Sequence, residues 1–125
     1  TYQTPYSRIG RLGSEIWRAI RLVVDTGLHS KGWSEEQAVQ YFLANSATTE
    51  AQARSEVRRY MVTPGQATAY KIGMLKIQEL RRKAEAALGP RFDLCAFHDT
   101  VLGGGALPLT ILETRVDRWI ASVKP

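Results

Sequence analysis

Pro64 and Gly65 stand together near the middle of the chain, between two stretches whose apolar residues recur at steps of three and four. Proline inside a helix removes a hydrogen bond and clashes with the preceding turn, so the two stretches must be separate helices joined at a sharp break. Thr63 is placed to cap the second helix, Pro64 to take its first position, and Gln66 to reach back to the cap. The same cap-plus-Gln signature recurs at Ser34-Glu35-Glu36-Gln37 and at Thr49-Glu50-Ala51-Gln52. A chain punctuated in this way, with no stretch of strand-like alternation, is all-α.

Six helices follow from the periodicity, as an irregular bundle forming a single all-helical domain over residues 1–125. The first starts near Ser7, is secure from Ser14 and carries Ile9, Leu12, Ile16, Ile20, Val23 and Val24 on one stripe. Gly27 suits the left-handed position after its last turn. The second, to about Ala44, turns Ala38, Val39, Phe42 and Leu43 inward, and Asn45 stops it. The third runs through Ala53, Val57, Tyr60 and Met61 to the break. The fourth, from about 64 to 88, is expected to be the longest, with Ala67, Tyr70, Met74, Ile77, Leu80, Ala84 and Leu88 near one stripe before Gly89-Pro90. A short fifth helix turns Phe97, Val101 and Leu102 inward. Pro108 opens the last, whose stripe is Leu109, Leu112, Val116, Trp119, Ile120 and Val123.

With 125 residues, 44% of them hydrophobic and 23% charged, the chain has the composition of a globular domain. No apolar run approaches the roughly 18 residues that a membrane helix requires. The net charge of +5 would suit an acidic partner, yet the 17 Lys and Arg are dispersed. Arg81-Arg82-Lys83 fall near the end of the fourth helix, where the dipole favours cations. A lone cysteine, Cys95, excludes an internal disulfide, and its apolar surroundings predict a small buried side chain. The abrupt start at Thr1 is consistent with a piece of a longer protein.

Polar groups concentrate around the break. Tyr60, Gln66, Tyr70 and Lys71 lie at one helix end and in the first turns of the next, where orphan N–H groups favour anions or polarised oxygens. Asp25 and His29 flank another helix end, and a pair spaced by four can meet; alternatively His29 binds the last carbonyls of its own helix. Neither His29 nor His98 has the spacing of a metal site, so no metal is expected in this chain. His98-Asp99 are adjacent on a helix and point about 100° apart, which does not orient a base. Gly103-Gly104-Gly105 lacks the Lys-Ser/Thr of a phosphate cradle.

The string Arg21-Leu22-Val23-Val24-Asp25-Thr26-Gly27-Leu28-His29-Ser30-Lys31-Gly32-Trp33, then Arg59-Tyr60 and Pro64-Gly65-Gln66-Ala67-Thr68-Ala69-Tyr70-Lys71-Ile72-Gly73, resembles the bacterial domain-of-unknown-function 885 family. The resemblance continues through Leu88-Gly89, Phe92-Asp93-Leu94, Phe97-His98-Asp99 and Leu107-Pro108-Leu109 and so covers nearly the whole chain. Family members are longer, mostly helical, and similar to zinc peptidases whose HExxH helix and glutamate ligand lie N-terminal to the matched region. The resemblance therefore implies the C-terminal part of a zinc-dependent peptidase, inactive by itself, with zinc held by the full-length parent. By analogy with the tyrosine-bearing helix of helical zinc carboxypeptidases, it implies Tyr70 and His29 as catalytic groups in the parent. Arg59, Tyr60, Gln66, Lys71 and Asp25 are the implied substrate-binding groups.

The partners implied are the missing N-terminal part of the same polypeptide, a peptide substrate, and a second copy through exposed apolar surface. The implied setting is bacterial, in the cell envelope or periplasm. Two other functions fit the same fold. A basic helical module binding nucleic acid or an acidic protein would need its cations gathered on one face. A structural or dimerising domain would show large exposed apolar patches.

Overall fold

The computed structural model describes residues 3–124. Among them are six α-helices: α1 (Pro5–Ser30), α2 (Glu35–Asn45), α3 (Glu50–Val62), α4 (Gln66–Leu88), α5 (Leu94–Leu102) and α6 (Leu109–Val123). A single 3-10 turn, Gly89–Arg91, follows α4, and no strand occurs among the described residues. The chain divides into two compact units, Thr1–Ile72 and Gly73–Pro125.

The first unit holds α1, α2, α3 and the opening turns of α4 around Ile20, Val24, Ala38, Val39, Phe42, Ala53, Val57, Tyr60 and Ala67. Its centre is aromatic: Trp17 meets Phe42 edge-on at 4.6 Å, and Phe42 stacks on Tyr60 at 6.5 Å. Ser34 caps α2 in the expected box, its hydroxyl accepting from Gln37 N while Gln37 Oε1 accepts from Ser34 N. Thr49 caps α3 through Gln52 N, but the reciprocal half is missing because the Gln52 side chain accepts from Thr48 instead. Arg54 then ties α3 to α2 through Glu35 and Glu36.

The second unit packs the later part of α4 with α5 and α6 around Leu80, Ala84, Leu88, Phe97, Leu112, Val116 and Ile120. Phe92, Phe97 and Trp119 form a ring cluster with centroids 6.1–6.3 Å apart. Asp93 caps α5 through Ala96 N. Lys76 pairs with Glu113, and Lys83 with Asp117. Arg81 pairs with Glu85, so two members of the basic run are neutralised where they stand.

Several sequence expectations are corrected. The longest helix is α1, with 26 residues against 23 in α4. It does not stop at Gly27 but runs through it to Ser30, and the left-handed residue after the helix is Gly32, φ 67°. Gly27 is needed for a different reason: a Cβ there would lie 2.5 Å from two ring carbons of Trp33, which folds back over the helix. Cys95 is exposed, because it lies on the outer side of the short α5. Met61, Ile77 and Leu102, expected to face inward, are also exposed. Ile9, Leu12 and Ile16 are exposed as well, although they continue the stripe of Ile20 and Val24.

Candidate functional site

The end of α1 holds both sides of the α3–α4 break. α3 ends at Val62 with carbonyls that have no partner within the helix. Thr63 Oγ1 donates back to Arg59 O at 2.8 Å, so the hydroxyl expected to cap α4 instead closes α3. Tyr60 O lies 2.9 Å from His29 Nε2, and a carbonyl can only accept, so Nε2 carries the hydrogen. Across the break, Gly65 adopts φ 78°, a conformation costly for any side chain, and the turn aims its N–H at Asp25. Both carboxylate oxygens of Asp25 receive it, at 3.2 and 3.1 Å. A buried carboxylate beside the start of α4 also meets the positive end of that helix's dipole. Asp25 and His29 therefore do not bond to each other, and His29 does not cap its own helix; one turn apart on α1, each grips one flank of the break.

Beside this clamp lies a charged network spanning three helices. Glu56 Oε2 accepts from Tyr60 Oη at 2.6 Å, Arg59 at 2.9 Å and Arg21 at 3.2 Å. Arg21 Nε donates to Tyr60 Oη at 3.0 Å, and its guanidinium lies 5.3 Å from the Tyr70 ring centroid. Arg59 also donates to Gln66 Oε1 at 2.9 Å. Because Arg59 has only donors, that bond fixes the Gln66 amide and turns Nε2 toward Tyr70 Oη at 3.2 Å. Tyr70, 49% exposed, thus accepts from Gln66, and its own O–H donates to no side chain or carbonyl among the described residues. Tyr60 differs: it is buried, and its proton is committed to Glu56. Lys71 is half-buried on the same turn of α4 and joins none of these bonds.

Two of these residues were not singled out from sequence, and both left a signal. Arg21, Asp25 and His29 are spaced by four along α1, a polar line running beside its apolar stripe. Glu56 stands three and four residues before Arg59 and Tyr60, the spacing at which helical side chains meet.

The network shifts its own titrations. Burial, together with the bond to Glu56, pushes the Tyr60 phenol from 10.0 up to about 12, against the lowering effect of Arg21. Burial raises Glu56, but this is outweighed by the bonds from Arg59 and Tyr60 and the charges of Arg59 and Arg21, leaving its carboxyl below the ordinary 4.5. A raised phenol stabilises the fold fully below pH 10, and that contribution disappears as pH rises through about 12. A lowered carboxyl contributes above its ordinary value, and that contribution is lost as pH falls through the folded one. In an alkaline titration followed by phenolate absorbance, one phenol is expected to ionise only near 12 and to disappear from the curve in Tyr60→Phe. A curve unchanged by that substitution would refute the assignment.

Among the described residues, no three His, Cys, Asp or Glu side chains gather into a metal site. His29 is engaged by Tyr60 O, and His98 is exposed beside the Phe97 ring, 6.0 Å away between centroids. The residues of this chain thus do not fit the zinc that the peptidase resemblance implies.

The family model "Bacterial protein of unknown function (DUF885)" matches residues 1–116. The chain belongs to this family. The DUF885 chain is also 50% identical, with a TM-score of 0.93, to a solved protein from Colwellia psychrerythraea described as a "putative lipoprotein". That match covers 94% of this chain but only 20% of the Colwellia chain, so the DUF885 chain spans about a fifth of that relative's length. No curated protein matches it. No helix among the described residues is long and apolar enough to cross a membrane.

Proposed function

We propose that this DUF885 chain is the C-terminal helical part of a longer zinc-dependent peptidase, in which Tyr70 and its polar neighbours face the peptide substrate. The observation that carries this reading is the state of the Tyr70 hydroxyl: half-exposed, held as an acceptor by Gln66, flanked by the Arg21 guanidinium, and free to donate. A neutral O–H donor fixed by a rigid network is what a developing oxyanion requires. Tyr60, Glu56 and Arg59 position that donor, while Asp25 and His29 hold the helix break beneath it. The ligands of the implied zinc belong to other parts of the longer polypeptide.

The length of the Colwellia relative supports a larger parent, and the description of that relative supports a setting in the cell envelope. The alternative of a basic module finds little support, because Arg11, Arg21, Arg54, Arg58, Arg59, Lys76, Arg81 and Lys83 all stand against carboxylates.

The test is a peptide-hydrolysis assay of the longer polypeptide. Hydrolysis that is lost on chelation and restored by zinc is expected; a zinc-loaded polypeptide that cleaves no member of a diverse peptide library would overturn the proposal. In equilibrium dialysis the 125-residue chain is expected to retain no zinc. One tightly held zinc per chain would show that its ligands are not elsewhere.

A further inference from the structure

α1 is longer than anything that covers it within its unit. At about 1.5 Å per residue its 26 residues extend roughly 39 Å, against about 16 Å for the 11 of α2. The apolar stripe does not end where the cover ends. Ile20 and Val24 are buried in the core, while Ile16, Leu12 and Ile9 continue the line at 49, 48 and 66% exposure. Between this part of α1 and the segment after α2 lies an open apolar groove of about 660 Å³, with Ile9, Leu12, Gly13, Ile16, Trp17 and Ala44 in its walls.

The helix backbone is bare along the same edge. Gly13 also borders a second recess, of about 340 Å³, together with Gly10. A Cβ at either glycine would meet nothing within 4 Å, and neither has a positive φ, so nothing among the described residues calls for glycine at these positions. Glycine is the poorest helix former apart from proline. Its use twice beside an uncovered apolar stripe is explained when another backbone approaches closely there.

We propose that the face formed by Ile9, Leu12, Gly13 and Ile16 is the docking surface for an apolar helix from the remainder of the same longer polypeptide. This rests on the reading of the chain as part of a larger protein. The occupant follows from two observations: the chain accounts for 20% of a relative to which it is 50% identical, and the uncovered stripe is continuous with the core already buried. A covalently attached helix is present at an effective concentration on the order of millimolar, which a second copy at ordinary concentrations does not match.

The test uses single-cysteine forms of the longer polypeptide in a Cys95→Ser background. Leu12→Cys and Ile9→Cys should react with a maleimide at least about tenfold more slowly than Ser55→Cys, an exposed position on α3, at every protein concentration. Equal rates would overturn the proposal, and protection that grows with concentration would assign the face to a second copy and overturn it too. Gly13→Ala supplies an independent sign. On a free helix face the added methyl raises the melting temperature; under a docked helix it lowers it, and the latter is expected. Neither readout needs catalysis. A longer polypeptide that cleaves no peptide but shields Leu12 would defeat the peptidase reading alone, and one that cleaves peptides with Leu12 freely labelled would defeat only this proposal.

Discussion

Tyr70→Phe in the longer polypeptide is expected to lower kcat by about 10²–10³, or roughly 2.7–4 kcal/mol of transition-state stabilisation, with KM little changed. Attack on a peptide carbonyl places negative charge on an oxygen that was neutral in the substrate. A donor already fixed at that oxygen stabilises the transition state more than the ground state, and the loss therefore falls on turnover. The proposal takes Tyr70 rather than Tyr60 as the donor because Tyr60 gives its proton to Glu56 at 2.6 Å and is buried. The same substitution should leave stability nearly unchanged, because the Tyr70 hydroxyl makes a single bond to an exposed Gln66. Activity that survives Tyr70→Phe, or falls only in step with lost folding, would remove Tyr70 from the chemistry.

Phe42→Ala should destabilise the first unit by about 3–5 kcal/mol, the range for deleting a fully buried aromatic ring. Phe42 is wholly inaccessible and is the ring on which both Trp17 and Tyr60 rest. Against a total stability of about 5–15 kcal/mol this is a large fraction, and denaturant unfolding monitored by tryptophan fluorescence would register it directly. The effect should also reach the polar network, since Tyr60 loses the surface that holds its hydroxyl at Glu56. The late-ionising phenol is then expected to move back toward its ordinary 10.0. A cost below about 1 kcal/mol would mean that the core collapses around the gap, contrary to the close packing assigned to it.

The α-class, the number of helices and most of their boundaries were legible in the sequence because they depend on interactions three or four residues long. Ser34 with Gln37 and Thr49 with Gln52 are caps of that kind, and each forms where the spacing places it. The cap expected at Thr63 failed for a reason outside that range. Asp25, forty residues away, takes the N–H of Gly65, and the Thr63 hydroxyl turns back to α3.

The polar cluster at the break was legible as a set of residue types, but not as a set of partners. Tyr60 and Tyr70 both fall on apolar stripes, and nothing in their spacing says which is buried. That is decided by Phe42 beneath Tyr60 and by the absence of any comparable cover over Tyr70. Arg21 and Glu56 meet only because α1 and α3 pack side by side. By itself, then, the sequence determined where helices begin, which residues can face inward, and the family to which the chain belongs. Tertiary structure alone decided which stripes are covered, which phenol keeps its proton free, and which carboxylate closes the break, because each depends on groups that come within about 3 Å only after the helices have packed.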